Sequence, residues 1–154
     1  MNIETKIQIE ALKELEKIYR RPPSFCEDEK GWIYFTVNGF SAVRIDSKEF
    51  WLDKNKLCNV EPLSNIFSED MSYKKKLVLT NVFYQHEKTN YNMLKCDEFK
   101  TYINNKIFKL LYKDGCEMYA KDNKSAVYFV VNNEIYACIT PFVGKIEMDL
   151  EESK

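Results

Sequence analysis

The sequence predicts an α+β fold, and three patterns along the chain support this prediction. Two segments repeat apolar residues at steps of three and four, which is typical of amphipathic helices. Other segments alternate apolar and polar residues, as strands with one buried face do. Because turn signals separate several of these runs, we expect two helices packed on antiparallel sheets that are rich in hairpins.

Length and composition limit the classes of protein to consider. The 154 residues fit one domain that buries about two-thirds of its unfolded surface. We place this domain at residues 1–146 and an acidic flexible tail at residues 147–154. No stretch approaches the roughly 20 apolar residues of a membrane-spanning helix, so we expect no membrane contact. The five cysteines lack paired spacing, and we interpret them as reduced, small apolar residues of a cytoplasmic protein.

The first helix is expected over residues 4–19. Its apolar face consists of Ile7, Ala11, Leu12, Leu15, Ile18 and Tyr19. Pro22 and Pro23 end the helix, since proline disfavours a helical conformation in the residue before it. A second helix is expected from its N-cap at Asp97 to about Tyr112, with Gly115 as its stop signal. Its apolar side consists of Phe99, Tyr102, Ile103, Ile107, Leu110 and Leu111.

Hairpins are expected before and after the second helix. Strands at residues 32–37 and 40–45 flank Asn38-Gly39, a pair that tolerates the positive φ angles of a type I′ turn. A final hairpin pairs residues 126–131 with residues 134–140 around a second turn of two asparagines. The remaining segments are, in order, a short strand at residues 50–52, a loop at residues 62–68, and strands at residues 77–84 and 91–94.

The residues that could support catalysis or bind a metal are few and scattered. His86 is the single histidine, so it is the one candidate imidazole base, and a surface histidine without a role is the favoured interpretation. The glycines form no phosphate-binding motif, and the cysteines have no zinc-ligand spacing. We therefore expect no catalytic residues, no metal and no cofactor. The weakest alternative is a nuclease that uses carboxylates from Glu27, Asp28, Glu29 or Asp70.

Basic residues line one side of each expected helix, although the 23 basic and 24 acidic residues of the chain nearly cancel. These candidate DNA-backbone contacts are Lys6, Lys13, Lys17, Arg20 and Arg21 in the first helix and Lys106, Lys109 and Lys113 in the second. Glu10 lies within the first stripe and can pair with its lysines, as on an ordinary solvated helix. Aromatic residues of the strands could stack on single-stranded nucleic acid, but packing within the sheet is the favoured interpretation for Trp32, Tyr34, Phe40 and Tyr84.

Three stretches resemble parts of one domain of a DNA polymerase sliding clamp. Residues 11–21 (ALKELEKIYRR) and 31–45 (GWIYFTVNGFSAVRI) are similar to the opening helix and hairpin of a clamp domain, with Asn38 where the clamp motif usually has Asp. Residues 116–144 resemble its closing hairpin, with Thr140-Pro141 in place of a methionine-proline pair. The resemblance covers about residues 7–144 and implies that the two helices face the DNA backbone. Bacterial clamp subunits contain three such domains, so a ring of this chain would require six copies.

Two functional hypotheses follow. The first is a clamp-like DNA replication accessory of a phage or mobile element, which forms homo-oligomers and binds duplex DNA weakly and without sequence specificity. The second is an inhibitor or adaptor that binds a host replication or defence protein, which suits the neutral net charge and the acidic tail. Both predict a protein that binds macromolecules and does not catalyse a reaction.

Overall fold

The computed structural model describes residues 2–15, 23–36 and 41–142, with only the backbone for 14, 15, 61 and 62. This part of the chain is α+β and contains the helices α1 (Ile3–Leu15) and α2 (Asn105–Leu111). Its strands are β1 (Ser24–Glu27), β2 (Trp32–Thr36), β3 (Ser41–Asp46), β4 (Cys58–Asn59), β5 (Lys75–His86), β6 (Thr89–Lys95), β7 (Lys100–Asn104), β8 (Glu117–Ala120), β9 (Val127–Val131) and β10 (Glu134–Ile139). Three 3₁₀ segments, Ser47–Glu49, Lys54–Lys56 and Glu61–Ser68, lie between β3 and β5.

All ten described strands belong to one sheet. Their order across the sheet is β4-β1-β2-β3-β10-β9-β8-β5-β6-β7. Neighbouring strands are antiparallel except for the short β1 and β4, which pair in parallel and make the sheet mixed. The longest strand, β5, joins two parts of the sheet, because its first residues pair with β8 and the rest pair with β6.

Two segments of the fold have the same order of elements. In the first half, α1 is followed by the antiparallel strands β1, β2 and β3; in the second half, α2 is followed by β8, β9 and β10. The last strands of the halves, β3 and β10, pair antiparallel, with Val43 opposite Ala137. The sheet therefore continues from one half into the other at its centre.

Apolar side chains form two clusters. The larger cluster contains Ile7 and Ala11 of α1 and Phe108 and Leu111 of α2, together with inward side chains from most strands. The smaller cluster contains Ala42, Tyr128, Val130, Ile135 and Cys138, with Ile66 and Phe67 of the Glu61–Ser68 segment against it. Strand β10 is buried at every residue after Glu134, because it lies between β3 and β9 and contributes to both clusters.

The second helix is shorter than the sequence predicts. Residues 100–104 form β7, which pairs with β6, and α2 begins only after Asn104, whose side chain accepts a hydrogen bond from the Ile107 amide (3.2 Å). The expectation of a cap at Asp97 is wrong. Thr101, Tyr102 and Ile103 favour strand, and pairing with β6 overrides the helical spacing of the apolar residues. The helix ends at Leu111, before Gly115 is reached.

Two expectations for the middle of the chain are also wrong. Residues 50–52 do not form a strand, because the backbone amides of Trp51 and Leu52 bond to the Gln8 side chain of α1 and not to another strand. Residues 62–68 belong to a 3₁₀ segment whose apolar side packs on the sheet. Leu12, expected on the apolar face of the first helix, is 43% exposed.

The expected final hairpin is confirmed. Asn132 and Asn133 have φ angles of 53° and 64°, as a type I′ turn requires, between β9 and β10. The strands expected around residues 77–84 and 91–94 are confirmed as β5 and β6, although Glu87 and Lys88 make their turn with φ angles of 48° and 71°. Three expected features lie outside the described residues: the turn at Asn38-Gly39, the first proline of the helix stop (Pro22), and the acidic tail. In the described ranges, no helix is long and apolar enough to cross a membrane.

Candidate nucleic-acid interface

Helices α1 and α2 lie side by side and run in opposite directions. Ion pairs show this arrangement: Glu10 Oε2 is 3.9 Å from Lys106 Nζ, near the start of α2, and Glu4 Oε1 is 3.8 Å from Lys113 Nζ, just after its end. We call the solvent-exposed surface of these two helices the helical face. It consists of Glu4, Lys6, Glu10, Lys13, Lys106, Lys109 and Lys113.

The described candidate lysines all lie on the helical face. Lys6 and Lys109 are exposed, and the side chains of Lys13 and Lys106 are 63% and 82% exposed. Lys113 is 41% exposed, and its Nζ also lies 4.6 Å above the centre of the Tyr136 ring. Lys17, Arg20 and Arg21 lie outside the described residues. The fold thus brings together lysines that are about a hundred residues apart in the sequence.

Carboxylates reduce the positive potential of the helical face. Glu10 Oε1 is 3.2 Å from Lys13 Nζ, and the other oxygen of the same carboxylate is 3.9 Å from Lys106 Nζ. The Glu10 side chain is 28% exposed and that of Glu4 only 19%, so both are more deeply buried than the lysines they contact. Exposed ion pairs are weak and screened by salt, so a phosphate can compete for these ammonium groups.

Asparagine N-caps hold the starts of both helices. Asn2 Oδ1 accepts a hydrogen bond from the Thr5 amide (2.9 Å), and Asn104 Oδ1 accepts one from the Ile107 amide (3.2 Å). In each case the acceptor precedes the bonded amide by three residues, which satisfies one of the free N–H groups of the first turn. The first turns of the two helices therefore use the same local chemistry.

Gln8 fixes α1 to the loop after β3. Its Nε2 donates to the carbonyl oxygens of Glu4 (2.9 Å) and Glu49 (3.0 Å). Its Oε1 accepts from the amides of Trp51 (2.7 Å) and Leu52 (3.2 Å). The side chain is fully buried. Sequence analysis missed this residue, because a polar side chain among helical apolar positions gives no indication of which backbone groups it will bond.

A cleft opens on the opposite side of the sheet from the helices, between the Glu61–Ser68 segment and the edge of β1 to β3. Its volume is about 600 Å³, and its lining residues are Cys26, Glu27, Asp28, Glu29, Lys30, Trp32, Tyr34, Arg44, Ser64 and Glu134. The Arg44 guanidinium lies 4.0 Å above the Trp32 ring, and its Nη2 is 3.0 Å from Glu134 Oε2. Its buried Nε has no hydrogen-bond partner among the described residues. The walls combine both signs of charge with aromatic surface.

Asp28 organises the turn at one end of this cleft. Its Oδ1 accepts hydrogen bonds from the amides of Lys30 (2.9 Å) and Trp32 (3.0 Å), and its Oδ2 accepts one from the Tyr34 hydroxyl (2.8 Å). Burial by itself would raise the pKa of the Asp28 carboxyl, but these hydrogen bonds outweigh burial and lower the pKa. Burial and the hydrogen bond to the carboxylate raise the pKa of Tyr34 to about 12.

The aromatic residues considered for base stacking are engaged within the protein. The Tyr34 ring centre lies 4.9 Å from that of Phe67, and Trp32 is covered by Arg44. Tyr84 belongs to an aromatic cluster with Tyr91, Tyr102 and Phe142. Phe40 lies outside the described residues. The three described aromatics thus make contacts within the protein, as the packing interpretation expects, while Trp32 and Tyr34 also line the cleft.

Of the candidate carboxylates, Glu27, Asp28 and Glu29 line the cleft, whereas Asp70 and His86 are not among its lining residues. Glu27 Oε1 pairs with Lys54 (2.8 Å), and the Asp70 carboxylate accepts the Ser72 amide (2.9 Å). The His86 ring packs against that of Phe142 in a tilted arrangement, with 5.2 Å between ring centres. Among the described residues, no three acidic, cysteine or histidine side chains lie close enough together to hold a metal ion.

All five cysteines lie in the described ranges, and none forms a disulfide; Cys26 and Cys138 are buried and the other three half-buried. Burial raises the pKa of the Cys138 thiol to about 12, so this group stays protonated and acts as a small apolar side chain.

Comparisons with protein-family models, with curated proteins and with solved structures find no match to this chain.

Proposed function

We propose that this chain is a non-catalytic DNA-binding accessory whose helical face contacts the phosphate backbone of duplex DNA. The observation that carries the proposal is the antiparallel pair α1 and α2, which presents Lys6, Lys13, Lys106 and Lys109 on one exposed surface. Lysine contacts to phosphate are independent of base sequence, and each one releases counterions. The binding is therefore nonspecific and sensitive to salt.

The repeated order of elements supports a sliding-clamp-like version of this proposal. A clamp domain consists of two similarly arranged halves, with its two helices toward the DNA, and here each half is a helix followed by three antiparallel strands. In this proposal the chain serves DNA replication of a phage or mobile element. Because Glu4 and Glu10 offset part of the charge, one copy binds duplex weakly, and several copies are needed to hold it.

A charge-reversal experiment tests the DNA contact. The double variant Lys106→Glu, Lys109→Glu should bind a fluorescently labelled duplex at least about tenfold more weakly at low salt, since two phosphate contacts become repulsive. The slope of log K against log salt should fall by about 1 for each phosphate that the variant no longer neutralises. Fluorescence anisotropy over a salt series measures both quantities.

The matched control is Lys121→Glu, Lys124→Glu, which makes the same change in net charge at exposed residues of the turn between β8 and β9. Equally weakened binding in the two double variants would show that only net charge matters and would refute the helical face as the contact. A wild-type chain that fails to bind duplex even at low salt would refute the proposal as a whole.

The second candidate is an inhibitor or adaptor that binds a replication or defence protein. The cleft beside β1 to β3 favours it, because four carboxylates, two basic groups and two aromatic side chains line its walls. Such a mixed surface suits protein recognition, while its carboxylates oppose phosphate. A wild-type chain that is monomeric and indifferent to duplex in light scattering after size exclusion would favour this candidate over the first.

A further inference from the structure

The last described residues lie beside the start of α2. The outermost strand β7 accepts a hydrogen bond at its Tyr102 carbonyl from the Phe142 amide (2.8 Å). The Phe142 ring packs against Tyr91 of β6, with 4.7 Å between ring centres. α2 begins at Asn105, three residues after Tyr102. Because four residues span at most about 14 Å, the Phe142 amide lies no more than about 17 Å from the backbone of Lys106.

The chain soon after Phe142 is strongly acidic. Residues 147–152 (EMDLEE), which we call the acidic segment, contain four carboxylates and no basic residue. A fully extended chain covers about 3.3 Å per residue, so Glu147 can lie up to about 17 Å from Phe142 and Glu152 up to about 33 Å from it. The start of α2 is therefore within reach of all four carboxylates.

The part of the helical face at the start of α2 has an excess of positive charge. Glu10 Oε1 is 3.2 Å from Lys13 Nζ, and Glu10 Oε2 is 3.9 Å from Lys106 Nζ. Lys109, three residues further along α2, is exposed. We call Lys13, Lys106 and Lys109 the lysine cluster. Its three ammonium groups share this part of the face with the single carboxylate of Glu10, so an anion placed there would be attracted.

Other described lysines on the strands around Phe142 are matched by acidic neighbours. Lys95 and Lys100 lie opposite each other in β6 and β7, and the turn between them contains two acidic residues. Lys88 follows Glu87 directly in the turn between β5 and β6. Each of these places has as many acidic as basic side chains. The lysine cluster therefore attracts the acidic segment more strongly than they do.

We propose that the acidic segment docks on the lysine cluster of its own chain and shields these ammonium groups from DNA phosphate. The effect on DNA binding rests on the function proposed above, whereas the docking itself does not. Exposed ion pairs are individually weak, but attachment through Phe142 gives the segment an effective concentration in the millimolar range. Duplex DNA has a much higher density of charge and displaces the segment. The contact therefore lowers DNA affinity several-fold and does not abolish binding.

Cross-linking of the full chain without DNA tests the docking. A carbodiimide joins a carboxylate directly to a lysine amine in contact with it, and mass spectrometry then identifies the joined pair. We expect links from the acidic segment to the lysine cluster. A mixture of isotope-labelled and unlabelled copies distinguishes links within one chain from links between two. Links only to lysines outside the helical face, links chiefly between copies, or no links from the segment would overturn the proposal.

Neutralising the acidic segment tests the shielding. The variant replaces its four carboxylates by amides of the same shape: Glu147→Gln, Asp149→Asn, Glu151→Gln and Glu152→Gln. The matched control makes the same change in net charge at exposed residues outside the helical face: Glu29→Gln, Asp53→Asn, Glu87→Gln and Asp97→Asn. At low salt the first variant should bind a labelled duplex at least about threefold more tightly than the control, because it lacks the competing carboxylates. Equal affinities would show that only net charge matters and would overturn the shielding.

The two measurements distinguish failure of this proposal from failure of the DNA contact. Links to the lysine cluster, in a chain that binds no duplex even with its acidic segment neutralised, would support the docking and refute DNA as the ligand of the helical face. Conversely, the DNA contact would stand and the docking would fall if Lys106→Glu, Lys109→Glu weakened duplex binding while the acidic segment gave no links and its neutralisation had no more effect than the control.

Discussion

In the first half of the sheet, α1 is attached to the rest of the molecule by a side chain of the helix, whereas in the second half α2 is held by a side chain of a strand. Gln8 of α1 bonds the backbone of the loop after β3, with Oε1 2.7 Å from the Trp51 amide. In the second half, the Tyr136 hydroxyl of β10 donates to the carbonyl of Leu111 (2.8 Å). The order of elements is therefore repeated, but the attachments are not.

The difference follows from what each helix has to bury. Helix α1, described over thirteen residues, contacts the long connection between β3 and β5. Gln8 bonds backbone groups of this connection that have no partner in the sheet. The seven-residue α2 packs directly on strands, and the Tyr136 hydroxyl satisfies a carbonyl of its last turn. Repeated topology thus leaves room for different chemistry wherever the connections differ.

The largest expected effects come from the positions at which the halves are most alike. Phe35 of β2 and Phe129 of β9 occupy the middle strand of each half, and both are fully buried in the larger cluster. Phe35→Ala and Phe129→Ala should each lower the free energy of unfolding by about 3–5 kcal/mol. Urea denaturation measures the change. If the free energy of one variant fell by less than about 1 kcal/mol, that half would not share the common core.

The second-largest expected effect is a loss of stability that differs between the two halves. Gln8→Ala removes four hydrogen bonds and leaves buried backbone groups unpaired, so we expect the free energy of unfolding to fall by about 3 kcal/mol. Tyr136→Phe removes one hydrogen bond and should cost about 1 kcal/mol. Lys6→Ala, at an exposed position of the same helix as Gln8, is the control and should change little. Equal effects at Gln8 and Tyr136 would contradict the proposed difference in attachment.

The helix caps should again behave alike. Asn2→Ala and Asn104→Ala each remove an acceptor for the third amide of a helix and should lower the free energy of unfolding by about 1 kcal/mol. Asn→Asp at either position retains the acceptor and should preserve stability, since a negative charge is favourable at a helix N-terminus. Thermal unfolding of the four variants compares the two helices. Destabilisation at Asn104 alone would show that α1 does not depend on its cap.

Alkaline pH should lower the stability of the fold through groups in both halves, whereas changes of pH near neutrality should leave it unaffected. The pKa values of Tyr34 in the first half and of Tyr128 and Cys138 in the second half are each raised to about 12, with burial as the main cause. A group whose pKa is higher in the folded state stabilises the fold fully below its unfolded pKa and loses that contribution as pH rises through the folded value. Stability should therefore fall between about pH 9 and pH 12.

Single substitutions can show which half of the sheet causes the loss of stability at alkaline pH. Tyr34→Phe and Tyr128→Phe should each make the melting temperature fall less steeply over that range, because one titrating group is gone. The slopes of melting temperature against pH should be compared, and not the melting temperatures themselves, since Tyr34→Phe also removes the hydrogen bond to Asp28. A melting temperature that stays constant to pH 12 would contradict the raised pKa values.

Local signals in the sequence determined the parts of the fold in which short-range geometry dominates. The alternation of Ile33 and Phe35 in β2, the hairpin turn of Asn132-Asn133 and the apolar spacing at Ile7 and Ala11 all depend on neighbours within a few residues, and the structure agrees with them. The lysines expected on the two helices, where described, are likewise exposed. Their contact with DNA stays a prediction.

Only the tertiary structure decided the features that depend on distant partners. Residues 100–104 form a strand because β6 is available to pair with them, although their apolar spacing also suits a helix. The same holds for the burial of Gln8 and for the stacking of Arg44 on Trp32. Each depends on which backbone or ring lies opposite, and that is set by packing between segments far apart in the chain.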